Sequence, residues 1–482
     1  MKILMVTNKV KTYALGAKNT FEPLKRLGHD VVWAADFSKF IGNKDEIPAV
    51  TEQISINTNP LNKDNINAYK QLLSIIDEYQ IEAVMCSTPI GGLLARLAAR
   101  KKGIRPVLYA AHGFLFFRGA PFINQTVYRW EEQILAHITD TLITITEEDY
   151  AAAQKFKLRS GAKPYLIHGA GVNVGVQVDI NRVEKRRSIG VPEDAFVIVS
   201  AGELNKNKNT EVVVRALKDV PGAHYVACGV GLEKENLEKL AEELGVSERF
   251  HLMGYRTDMA ELMAMSDVFT MMSFREGMPR SLLEAMDLGL PCVGSDTRGI
   301  RDLIDSHGGY ICSPRDPKAF ANAFNALREN EKLRSEMGTY NKGKVQDYSA
   351  DVVKRELYDI YKKAFSVKHK RQERENPMTI KRLIQKAFIG GQWYVGYRRK
   401  GDTKYSVIET PRDMWIADPT MFVANGEHYL FVEVYVKKKK KAAIGYYHFE
   451  NNVPVYKGLI VENPYHMSYP CVFEYNGEFY MI

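Results

Sequence analysis

Long apolar runs are missing from this chain of 482 residues: none approaches the roughly 18 residues of a membrane-spanning helix. Any association with a membrane is therefore expected to be peripheral. The opening stretch from Met1 to Thr7 is apolar but breaks at Asn8. It is too short for a signal peptide and has no cleavage site, so it reads as a buried first strand. Cysteine is scarce as well: Cys86, Cys228, Cys292, Cys312 and Cys471 are odd in number and scattered without ligand-like spacing. That argues against a disulfide framework or a zinc site and for a reducing compartment, with a cytoplasmic location expected. A large charge of one sign is also lacking. The net charge of +8 suits anionic small molecules or an anionic membrane surface. No recognition motif accompanies the lysine run 437–441, which reads as a solvated hairpin tip, so no nucleic acid is expected.

What is present is alternation. Strand-like stretches at 3–7, 30–33, 83–86, 107–110, 141–145 and 165–167 are separated by helical patterns at 20–27, 65–79, 91–102, 124–137 and 147–156. The series starts again with strands at 196–200, 224–228, 250–252, 268–271 and 291–293. Repeated β-α units imply parallel, doubly wound sheets. The expected fold is α/β, two Rossmann-like domains facing a cleft, at 1–178 and 179–365. A last helix at 349–365 is followed by a charged linker at 366–378. Ligands in such sheets bind beyond the carboxyl ends of the strands. His112, Gly202, Gly229 and Glu276 all follow predicted strands, so one cleft can gather them.

One segment stands out: Glu276-Gly277-Met278-Pro279-Arg280-Ser281-Leu282-Leu283-Glu284. Eight helical residues span roughly 12 Å, too far for one small group to meet both carboxylates. A sugar nucleotide is long enough: one Glu for the sugar hydroxyls, the other for the ribose. The free N–H groups of a helix start between them suit a diphosphate.

The segment resembles the Glu-x7-Glu motif of the retaining glycosyltransferases of family 4, which have the GT-B fold. The likeness covers roughly residues 1–365. It is strengthened by Ser87-Thr88-Pro89-Ile90-Gly91-Gly92, by Ala111-His112-Gly113-Phe114 and by Gly202-Glu203-Leu204-Asn205-Lys206-Asn207-Lys208-Asn209. The stretch from Ser295 to Ile304 matches too, and together these are similar to the bacterial exopolysaccharide and capsule branch. The resemblance implies that Glu276 holds sugar hydroxyls and Glu284 the ribose. The backbone of Gly277, Met278 and Pro279 would meet sugar or phosphate. It implies that His112 faces the donor sugar, that Lys208 binds the diphosphate after Gly202, and that the last helix crosses back onto the first domain. Gly16 would belong to a donor-phosphate loop after the first strand. Glu203 departs from the pattern, since an Arg is usual there. No Asp-x-Asp pair is present, which fits a metal-independent reaction, and no cofactor is expected.

The loop from Phe114 to Phe122 reads either as packing or as a surface that receives a lipid-linked acceptor. The expected partners are thus a nucleotide-sugar donor, a UDP-sugar by the resemblance, and a saccharide or lipid-linked saccharide acceptor. An epimerase or hydrolase on the same fold is an alternative, as is a saccharide-binding scaffold.

After the linker the composition turns to Tyr, Trp and Val with turn signals, which means β-structure. Residues 418–429 recur at 469–480: Pro419, Phe422, Asn425-Gly426-Glu427 and Tyr429 match Pro470, Phe473, Asn476-Gly477-Glu478 and Tyr480. Asn-Gly is a hairpin signal, and a period near 50 suggests propeller blades. The surroundings of Asp418 resemble the first blade of five-bladed propellers related to glycoside hydrolase family 43, and also the propeller-like domain found beside some polysaccharide transferases. Asp418 itself reads as a turn residue rather than a catalytic carboxylate, because the blades that would supply an acid partner are absent. A partial propeller at 379–482, truncated at its end, is the expectation.

Overall fold

The computed structural model describes residues 1–366 except 61 and 160, then 395–397, 406–408, 410, 414–436, 441–451, 453–462, 470, 472–475 and 478–481. Two compact units divide at Glu375, and the first holds both α/β domains.

The first domain is a seven-stranded parallel sheet: β1 (Lys2–Lys9), β2 (Asp30–Asp36), β3 (Val50–Gln53), β4 (Ala83–Ser87), β5 (Val107–Ala111), β6 (Thr141–Thr144) and β7 (Tyr165–Leu166). Their order is β3-β2-β1-β4-β5-β6-β7. The second is a six-stranded parallel sheet: β8 (Phe196–Ala201), β9 (Ala223–Cys228), β10 (Phe250–Leu252), β11 (Val268–Met271), β12 (Cys292–Ser295) and β13 (Gly309–Cys312). Here the order is β10-β9-β8-β11-β12-β13. Each sheet is buried on both faces, as side-chain alternation along a strand requires. In β1, Leu4 and Val6 enter one core and Ile3 and Met5 the other. In β8, Ile198 lies on one side and Val197 and Val199 on the other.

The strand order reverses between β1 and β4 in the first sheet and between β8 and β11 in the second. Such reversals open a crevice at the carboxyl edge of a doubly wound sheet.

The chain crosses between the domains twice, and the crossings hydrogen-bond to each other. Val172 N donates to Tyr348 O at 3.0 Å, and Ala350 N to Val172 O at 2.8 Å. The Ala350–Ser366 helix then lies on the first domain. Its apolar stripe Val353, Leu357, Ile360, Tyr361 and Ala364 is buried with Ile3, Phe21 and Leu24. Residues at this spacing share one helical face. Each large apolar side chain so buried contributes roughly 1.5–3 kcal/mol.

Several boundaries differ from the sequence expectations. The first helix is Leu15–Arg26, starting five residues earlier than its apolar pattern suggests, with Pro23 inside it. Its N-terminal half is anchored by tertiary contact: buried Asn19 donates to Ala170 O at 2.8 Å. The stretch expected as one helix at 124–137 opens with a π-helical turn, Asn124–Tyr128, before the α-helix Arg129–Ala136. β3 escaped the hydrophobic reading because none of Val50–Gln53 is buried. β13 escaped because only four residues, two of them buried, form the strand.

In the second unit, Met414–Ala424, Glu427–Val436, Lys441–Glu450 and Val453–Val461 form a four-stranded antiparallel meander. Val472–Tyr475 and Glu478–Met481 form a separate hairpin. The 51-residue repeat is legible in the pairing: Phe422 opposes Tyr429, and Phe473 opposes Tyr480. Asp418 sits at a bulge with φ +46°. The expected linker at 366–378 lies almost wholly outside the described residues, as do Lys437 to Lys440.

Candidate active site

Both crevices are bridged by side chains. In the second domain the loop after β8 carries Lys208 and the loop after β11 carries Glu276. Lys208 Nζ meets Glu276 Oε1 at 2.7 Å in a half-buried ion pair. The two loops are stitched by further bonds. Phe274 N donates to Asn207 O at 2.8 Å, and Asn207 Nδ2 to Arg275 O at 3.0 Å. Asn209 Nδ2 reaches Met272 O and Pro314 O at 3.1 and 2.7 Å. Gly202 N donates to Cys228 O at 2.9 Å at the end of β8. The exposed carboxylate of Glu203 accepts from Asn205 Nδ2 at 3.1 Å, which engages it within its own loop.

The Glu276 loop also closes on the first domain. A Cβ built on Gly277 would stand 2.5 Å from the carbonyl oxygen of His112, so only glycine permits this approach. Met278 packs into the cores of both domains and lies against Gly169. Pro279 precedes the Arg280–Asp287 helix, and no side chain caps that helix. The first N–H groups of the helix are therefore available to an anion. Glu284 lies one turn along it, 3.4 Å from Arg280. Desolvation raises the Glu284 pKa, offset in part by Arg280.

His112 follows β5 directly. Its ring keeps solvent contact, yet the protein around it desolvates the imidazole and lowers its pKa. It is accordingly neutral at pH 7, able to donate or accept a hydrogen bond.

The structure thus gathers His112, Lys208, Glu276, Gly277 and Met278 at one interdomain cleft, with Gly202, Pro279 and Glu284 on the elements that frame its second wall. Gly16 is placed differently from the expectation. It lies in the first turn of the Leu15–Arg26 helix rather than in a loop, and its Cα faces Ala170. The early start of that helix, held by Asn19, is the reason.

Sequence reasoning missed a second set of residues. Arg298 and Asp149 form a buried ion pair across the domains at 2.8 Å. Arg301 pairs with Glu148 at 2.8 Å, and Glu147 N donates to Asp302 Oδ2 at 3.1 Å. The acids Glu147, Glu148 and Asp149 open a helix, where such residues ordinarily serve the helix dipole. The local signals were the density of charge between Asp296 and Asp302 and the family resemblance of the stretch from Ser295 to Ile304, neither of which names a partner across the domains.

The loop after His112 divides. Phe114 and Phe116 are buried with rings stacked 4.8 Å apart, whereas Phe122 is 83% exposed.

Comparison with known proteins decides the family. Residues 17–169 match the model for Glycosyltransferase Family 4, and residues 181–344 the model for Glycosyl transferases group 1. A putative glycosyltransferase, EpsD of Bacillus subtilis, is 35% identical over 353 residues, which cover 71% of this chain and 91% of that protein. The chain belongs to glycosyltransferase family 4. The transferase is also similar to a UDP-Gal:alpha-D-GlcNAc-diphosphoundecaprenol alpha-1,3-galactosyltransferase of Escherichia coli. That protein is 28% identical over 56% of this chain and 73% of its own length. Among solved structures, Anabaena Alr3699/HepE in complex with UDP and glucose aligns with a TM-score of 0.61 at 17% identity. The alignment covers 75% of this chain and all of that one. It shows that the transferase has the GT-B fold. Residues 404–482 match a different model, Glucosamine inositolphosphorylceramide transferase 1, N-terminal. The hydrolase-type propeller expected there is not shown: the described residues form a two-stranded ladder of Gly396–Tyr397 with Ser406–Val407, one meander and one hairpin. Among the described residues no helix is long and apolar enough to cross a membrane.

Proposed function

We propose that the chain is a retaining, metal-independent glycosyltransferase of polysaccharide biosynthesis. It moves a sugar from a UDP-sugar to a saccharide or lipid-linked saccharide acceptor. One observation carries the reading: Lys208 and Glu276 meet in the crevice of the second domain while Gly277 lies against the carbonyl of His112. A cation, a carboxylate and a neutral imidazole thereby line one cleft.

In this reading the diphosphate takes Lys208 and the open N–H groups of the Arg280–Asp287 helix, which stabilise the charge that develops on the leaving group. Glu276, released from Lys208, accepts from sugar hydroxyls, and His112 hydrogen-bonds the sugar from the opposite wall. Glu284 holds the ribose. The leaving phosphate draws the proton from the acceptor hydroxyl on the face it departs from, which preserves the anomeric configuration. Glu203, bonded to Asn205, stays clear of the diphosphate.

Phe122, Ile123 and Val127 are 83%, 60% and 43% exposed, and Arg118 lies in the same loop region. An apolar tip with an adjacent cation supports docking on an anionic bilayer that presents a lipid-linked acceptor.

The test is nucleotide release from UDP-, GDP- and ADP-sugars, with and without membrane extract. UDP release that requires the extract and persists in EDTA is expected. Acceptor-independent release, or an absolute requirement for a divalent ion, would overturn the reading.

A further inference from the structure

Arg298 follows β12, and its side chain is 3% exposed. Its guanidinium reaches three acceptors in the seam between the domains. Nε donates to Glu276 O at 3.1 Å, and Nη1 donates to Phe114 O at 2.9 Å and to Asp149 Oδ1 at 2.8 Å. The ring of Phe117 lies 5.3 Å away, and a Cβ on Gly113 would stand 2.7 Å from Nη2. Asp149 is itself held, accepting from Thr146 Oγ1 at 2.9 Å.

We infer that Arg298 is a positioning residue for the transfer, fixing the separation between the loop that carries Glu276 and the loop that carries His112. The inference rests on the transferase reading above.

Simple adhesion between the domains would need only the ion pair with Asp149. Two of the three acceptors are instead backbone carbonyls: that of Glu276 itself, and that of Phe114, two residues after His112. A guanidinium presents its donors in a rigid plane, so the distance between those carbonyls is set by a group that cannot flex. An ammonium offers one point of attachment and no such spacing. Reacting groups misplaced by about 1 Å lose on the order of 100-fold in rate, which makes a rigid spacer at this place consequential. Arg301, paired with both Glu148 and Asp296 at 2.8 and 2.9 Å, supplies adhesion independently of Arg298.

The test uses the purified chain of 482 residues. Arg298→Lys keeps a cation beside Asp149 and loses the fork. The double variant Arg298→Met with Asp149→Asn removes both buried charges and so protects folding. In both, kcat is expected to fall about 10- to 100-fold while the Kd for UDP changes less than about threefold and the melting temperature is retained. Hydrogen exchange at residues 274–278 should quicken in both variants. A kcat within about twofold of the parent in either folded variant would overturn the inference, as would UDP affinity lost in proportion to kcat. If the parent turns over no nucleotide sugar, it is the transferase reading that fails. Exchange at 274–278 then still decides the positioning role: unchanged exchange refutes it, faster exchange supports it.

Discussion

In the first domain the crevice between β1 and β4 is bridged by a neutral pair, Thr88 Oγ1 donating to Asn8 Oδ1 at 2.7 Å. In the second, the crevice between β8 and β11 is bridged by an ion pair, Lys208 to Glu276, also at 2.7 Å. The two domains share one plan of parallel strands, buried on both faces and reversing order once. What distinguishes them is the chemistry placed at the reversal. A neutral amide and hydroxyl suit sugar hydroxyls, whereas a cation and carboxylate suit a phosphate and the hydroxyls beside it. Thr88 also holds φ +68° and ψ 147°, a region that only glycine visits freely. Such a conformation costs about 1–3 kcal/mol and persists only where its surroundings enforce it.

The comparison is open to attack from the charged side first. Glu276→Gln should lower turnover roughly 100- to 1,000-fold, measured as acceptor-dependent UDP release, because the charge that answers Lys208 and the sugar is lost. A loss below about tenfold would remove Glu276 from the reacting centre. Gly277→Ala comes next. Its added Cβ meets the His112 carbonyl and forces the two walls apart, so kcat should fall about 100-fold while UDP binding survives.

A pair of milder changes sharpens the contrast. Glu284→Gln should raise the KM for the donor about tenfold with kcat little changed, as loss of a charge-assisted ribose hydrogen bond would. Asn8→Ala should raise the KM for the acceptor by about as much and leave the donor KM alone. Equal effects of both variants on both substrates would dissolve the distinction between the crevices.

The smallest effect concerns the crossing that joins the domains. His168 Nδ1 lies 2.6 Å from Glu356 on the Ala350–Ser366 helix, and that hydrogen bond raises the imidazole pKa. A raised histidine stabilises the fold fully below its unfolded value of about 6.5, and the contribution is lost as pH rises through the folded value. The melting-temperature difference between the parent and His168→Gln should therefore be present at pH 6 and vanish at alkaline pH. The pair is partly exposed, with 44% of the His168 side chain open to solvent, so the difference will be small. A difference that grew with pH would refute the assignment.

Much of this was legible beforehand, for reasons of range. The strands at β1, β4, β5 and β8 announce themselves as short apolar runs ended by polar or glycine residues. The Glu276–Glu284 segment combines a loop, a helix start and two carboxylates within nine residues. β3 was not legible, because an edge strand with no buried residue carries no apolar signal. Nor was the start of the first helix, where Pro23 weakens the local pattern and the buried Asn19 supplies from outside what propensity lacks. The aromatic loop left two readings open, and the structure divides them within ten residues: Phe114 and Phe116 pack, while Phe122 faces solvent.

By itself the sequence determined two doubly wound domains and singled out the Glu276–Glu284 segment, since hydrophobic period, turn residues and motif spacing are all short-range properties. The tertiary structure alone decided which residues face the motif. Asp149 and Arg298 meet across 149 positions, and Glu276 and Lys208 across 68. Gly277 reaches the His112 carbonyl only because two separate sheets close on each other. Local spacing carries no record of such approaches, because they depend on how the two domains dock and not on the pattern within either.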